Sequence, residues 1–74
     1  MTPVHIDLRL IGSQTSASTT VEEPNGIPHS YSAMARTGAL ALSEIVSDLS
    51  KAGHGGRPWV TSDGLRGRVP PRPR

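Results

Sequence analysis

Cysteine and phenylalanine are absent from the 74 residues, and tryptophan and tyrosine occur once each. Without cysteine no disulfide can brace the chain, and no thiolate can act as a nucleophile or ligate zinc. Large aromatic rings bury the most area per residue, so with so few of them the core must be aliphatic and thin. A chain of this length lies near the lower limit for independent folding. Scaffolds of this size usually depend on a disulfide, a metal or association, and the first is excluded. Long apolar runs are missing as well. Nothing approaches the roughly 20 residues of a membrane span, so no transmembrane segment and no membrane contact are expected. The opening "MTPVHIDLRLIG" lacks the basic-then-apolar layout of a secretory signal. The expected location is therefore cytoplasmic, or within a macromolecular assembly.

Catalytic signatures are also lacking. His5, His29 and His54 are 24 and 25 residues apart, too scattered for the ligand spacings of a metal site. None of the nine serines sits in a Gly-x-Ser-x-Gly elbow. Glu44 and Asp48, four apart, are expected to be a wet helix surface rather than an acid–base pair. "GHGG" at 53–56 matches no phosphate-binding loop and is expected to stop a helix and act as a hinge. The expectation is a non-enzyme with no cofactor, no metal and no small-molecule substrate.

What is present is periodicity and segregated charge. In "VHIDLRLI", Val4, Ile6, Leu8 and Leu10 alternate with His5, Asp7 and Arg9, the pattern of a half-buried strand. Gly12 ends it. "GSQTSAS" is a loop by composition, "TTVEE" is β-prone enough to pair back on the first strand, and "EPNGIP" holds turn chemistry. From Tyr31 through Met34, Gly38, Ala41, Leu42, Ile45, Val46, Leu49 and Ala52 the apolar steps are mostly three and four. This spacing predicts an amphipathic helix over 31–52, capped by Ser30 or Ser32 and stopped at Gly53. Leu40 falls almost opposite the stripe, so either the regular helix begins near Thr37 or Leu40 is an exposed contact. "RPWVT" and "LRGRV" then read as a hairpin turning at Asp63-Gly64. The predicted fold is a small single α+β domain with short antiparallel strand and hairpin elements and one amphipathic helix. The domain is assigned to 1–64, and 65–74 to a disordered basic tail rich in Pro and Arg.

"VHIDLRLIG" resembles the strand of ribbon-helix-helix repressors, in which an alternating strand presents polar side chains to DNA. The resemblance covers about eight residues. A helix follows directly in that fold, whereas here "SQTSASTTVEEPNGIP" intervenes, and the chain is not assigned to the family.

Charge is uneven along the chain. Residues 1–52 carry three bases against five acids, and 53–74 carry five arginines against Asp63 alone. A basic end on a faintly acidic body is the pattern of an interaction tail. Arginine's planar fork suits carboxylate and phosphate, so Arg66, Arg68, Arg72 and Arg74, with Leu40, are the candidate partner contacts. His5, Asp7 and Arg9 are candidates for contact along an open strand edge. The function expected is a small binding or assembly protein that associates with a larger protein partner or with itself, its arginines meeting an acidic surface. Two other functions fit the sequence. One is a nucleic-acid-binding accessory protein using the C-terminal arginines. The other is a precursor of a ribosomally made modified peptide, with a leader to about residue 55 and a core over 56–74, in which Gly56 and Asp63 have lactam spacing.

Overall fold

The computed structural model describes residues 2–23 and 25–72. Five strands and one helix follow in the order β1 (Val4–Ile11), β2 (Gln14–Glu22), β3 (Pro28–Ala35), α1 (Gly38–Lys51), β4 (Pro58–Thr61) and β5 (Arg66–Arg68). They form one five-stranded mixed sheet, ordered β3-β2-β1-β4-β5, with the helix against one face. The protein is thus a small α+β domain, and no helix among the described residues is long and apolar enough to cross a membrane.

The alternation in β1 puts Val4 and Ile6 in the core and leaves His5, Asp7 and Arg9 exposed. Gly12, at φ 62°, then reverses the chain in a two-residue hairpin. β2 begins at Gln14, within the stretch expected to be a loop. Ser16, Ser18 and Thr20 face outward while Ala17, Thr19 and Val21 are buried. The period of two is present there, but it is carried by small, weakly apolar residues. The turn at Asn25–Ile27 has the expected chemistry: Gly26 adopts φ 83° and the Asn25 side chain accepts from the Ile27 N–H.

The helix expected over 31–52 occupies only 38–51. Tyr31 and Met34 belong to β3, on opposite sheet faces, and their spacing of three was a coincidence of two different periods. Neither Ser30 nor Ser32 is the cap. Thr37 is, its hydroxyl accepting from Leu40 N–H at 3.2 Å. Ala41, Ile45 and Leu49 pack into the core, and Leu40 is 54% exposed. The C-terminus stops as expected. Gly53 takes φ 94°, and the N–H groups of Gly53 and His54 bond back to Ser50 and Leu49.

Two further expectations are corrected. The "GHGG" segment is packed rather than a free hinge: His54 is 8% exposed, and Gly56 N–H bonds Val69 O. The predicted boundary after 64 falls inside the β4–β5 hairpin, whose turn is at Asp63-Gly64. Arg66–Arg68 form the last strand, Val69 is 1% exposed in the core, and the Ser50 hydroxyl donates to Pro71 O. Residues 66–69 therefore belong to the folded unit, because a thin core recruits Val69. Arg72 is exposed, and Arg74 lies outside the described residues.

Candidate functional site

A sheet covered by a helix on one side presents its other face to solvent. Here that face is set by pairing. On it His5 stands beside Val60, which pairs with Arg66; Pro58 pairs with Arg68; and Arg9 pairs with Ser16 and, through it, Met34. Asp7, Ser18 and Ser32 form a further row, and the hydroxyls of Thr20 and Ser30 bond each other at 3.1 Å. The β1–β4–β5 half carries Arg9, Arg66 and Arg68 against Asp7. The other acid on this face, Glu22, sits at the far end of β2, opposite Pro28.

Two groups of candidate residues that looked unrelated in sequence therefore share one surface. Arg66 and Arg68 are held there by a strand, and Arg68 donates to the Gly56 carbonyl at 3.0 Å. His5, Asp7 and Arg9 are on the same face but do not lie along an open edge. β1 is an interior strand, paired with β4 over Val4–Ile6 and with β2 over Asp7–Ile11. Its alternation reported which side chains are wet, and could not report which neighbours its backbone has. Leu40 is not brought to this surface: it lies on the helix, on the opposite side of the sheet. Beside the His5–Val60–Arg66 row is a shallow depression of about 280 Å³, lined by Pro3, Pro58, Trp59, Val60, Arg66 and Gly67. Trp59 packs its ring on Gly67, and its indole N–H is buried without an acceptor among the described residues.

A second cluster has no counterpart in the sequence reading. Glu23, just past β2, accepts from the Tyr31 hydroxyl at 2.9 Å and meets His54 Nε2 at 3.2 Å, an ion pair when the imidazole is protonated. His29 lies against Tyr31, with ring centroids 4.7 Å apart. The Tyr31 hydrogen bond, followed by that of His54, holds the Glu23 carboxyl below the ordinary carboxylate range. Desolvation and then the Glu23 hydrogen bond push the Tyr31 phenol up. The cluster ties β2, β3 and the loop after α1 together. Among the described residues no three His, Asp or Glu side chains are grouped to hold a metal ion. With Glu23 and His54 31 residues apart, no local spacing signals this contact.

No protein-family model, no curated protein and no solved structure matches the chain.

Proposed function

We propose that the chain is a non-catalytic binding and assembly protein that meets an acidic surface of a larger protein with its uncovered sheet face, centred on His5, Val60 and Arg66. The observation that carries this reading is the placement of Arg66 and Arg68 beside an apolar floor of Pro58 and Val60, on a strand rather than on a loose tail, with Arg9 further along the same face. Rigid presentation lowers the ordering cost of binding, and arginine forks match carboxylates in geometry and charge.

A nucleic-acid partner is the second reading. The arginines would serve phosphate equally well, but base stacking on a sheet requires exposed aromatic rings. Both Tyr31 and Trp59 pack toward the core side, which favours a protein partner. The precursor reading is weighed down by β4, β5 and Val69. All three lie in the 56–74 segment that processing would remove, and Val69 is core.

The test uses Trp59 fluorescence on the intact chain, titrated with poly-glutamate and separately with a short DNA duplex. Binding of poly-glutamate that weakens with salt and disappears in Arg9→Gln/Arg66→Gln/Arg68→Gln supports the reading. Equal binding by that variant overturns it. Tight duplex binding, with a log–log salt slope of about −0.9 per phosphate neutralised, would favour the nucleic-acid reading.

A further inference from the structure

The two edges of the sheet are built differently. β5 is three residues long, holds Arg66 and Arg68, and runs into Pro70 and Pro71. Short strands, charge and proline are the usual means of blocking an edge. β3 is eight residues long, and His29–Ala35 ("HSYSAMA") contains no proline, acid, lysine or arginine. No strand pairs with its outer side among the described residues. One edge is guarded and the other is open.

The helix flank beside the open edge narrows the choice of occupant. Ser32 and Ala33 of β3, with Ser43, Glu44, Ser47, Asp48 and Lys51 of α1, line a groove along it. Ser43 and Ser47 are small enough to let another helix come close. Glu44 and Lys51 are two turns apart, about 10 Å along the axis, and neither has an ionic partner among the described residues. A two-fold axis pairing β3 antiparallel with a second β3 lays the two helices side by side in opposite directions. Glu44 of each copy then faces Lys51 of the other, while Asp48, one turn from each, sits near the axis, so each lysine lies between two carboxylates.

We propose that the chain dimerises through β3, joining two five-stranded sheets into one continuous ten-stranded sheet, with Glu44 and Lys51 fixing the register of the helices. The axis is perpendicular to the sheet, so both arginine-bearing open faces point the same way. This inference uses a surface separate from the open face and stands or falls independently of the proposed function.

Sedimentation equilibrium of the intact chain tests it, with circular dichroism to check that each variant is folded. The expected result is a concentration-dependent monomer–dimer equilibrium. Glu44→Lys and Lys51→Glu should each weaken it about tenfold, since two exposed pairs change from attraction to repulsion. An equimolar mixture of these two variants should recover the association, because only the heterodimer places opposite charges across the axis. Arg66→Gln should leave the dimer constant unchanged. On dimerisation, amide exchange should slow at alternate residues of His29–Ala35. A monomer at every concentration, or a dimer insensitive to both single variants, overturns the proposal. So does a mixture that associates no better than its components.

Discussion

The two faces of one sheet are made from the same strands and do opposite work. On the helix side, Val4, Ile6, Ala17 and Val21 meet Ala41, Ile45 and Leu49, and all are buried. One residue away along each strand, His5, Asp7, Arg9, Ser16, Ser18 and Thr20 are on the uncovered side. Burial at roughly 25 cal/mol per Å² of apolar area stabilises the first set, while the second contributes little to folding and is free for recognition. A period of two is thus a division between stability and contact. Substitutions on the two faces should fall into two separate classes.

The largest effect is expected at the centre of the covered face. Leu49→Ala should cost about 2–5 kcal/mol, a large share of a small domain's stability, measured by urea denaturation. An exposed position on the same helix gives the contrast, and Leu40→Gln should change stability by less than about 0.5 kcal/mol. If Leu40→Gln unfolds the chain, the helix is rotated from the orientation described.

Next comes the meeting of strands β4 and β5, where Trp59 lies on Gly67. A Cβ at Gly67 would enter the indole ring, so Gly67→Ala should cost about 1–3 kcal/mol by overpacking and shift Trp59 emission. Unchanged stability together with unchanged emission would mean that the ring does not rest there.

A smaller effect belongs to the Glu23 cluster and appears as a pH dependence. The folded Glu23 carboxyl is held below its ordinary range, chiefly by the Tyr31 hydroxyl and then by His54. Its contribution is present above the ordinary carboxylate pKa and is lost as pH falls through the lowered value. Tyr31 has the opposite sign, its phenol being raised mainly by desolvation. That contribution is present below the ordinary phenol pKa and is lost as pH rises through the raised one. Glu23→Gln should flatten the acid limb of a stability–pH curve, and an unaltered acid limb would count against the contact.

The smallest effects on folding, and the largest on binding, are expected on the open face. Arg9→Gln, Arg66→Gln and Arg68→Gln should each leave stability within about 0.5 kcal/mol. If any of them destabilises the chain as Leu49→Ala does, the distinction between the faces fails.

How much of this was legible in the sequence depended on how strongly the apolar residues spoke. β1 and the second half of α1 were readable because Val, Ile and Leu mark their inward positions. The hairpin around Asp63-Gly64 was readable from its turn chemistry. β2 and β3 were hidden because their inward residues are mainly Ala17, Thr19, Ala33 and Ala35, and small side chains let the helix approach closely without raising local hydrophobicity. Tyr31 and Met34, at a helix-like spacing ahead of a true helix, extended the wrong period backward. The grouping of Arg66 and Arg68 with His5 and Arg9 depends on β1 pairing with β4 across more than 50 residues, and no local pattern encodes that.

That same pairing imposes an order of events on a newly made chain. β1 and β2 can form a hairpin while later residues are still being synthesised, since their contacts are local. The other side of Val4–Ile6 has no neighbour until Trp59–Thr61 has been made, and the core is not closed until Val69 follows. Translation adds roughly 5–20 residues per second, so the first strand made waits seconds for its last partner. Contacts so distant in sequence also slow folding once the chain is complete. During that interval the nascent protein carries a half-paired central strand, and this is when a chaperone or a second nascent copy has access to backbone that the finished fold covers.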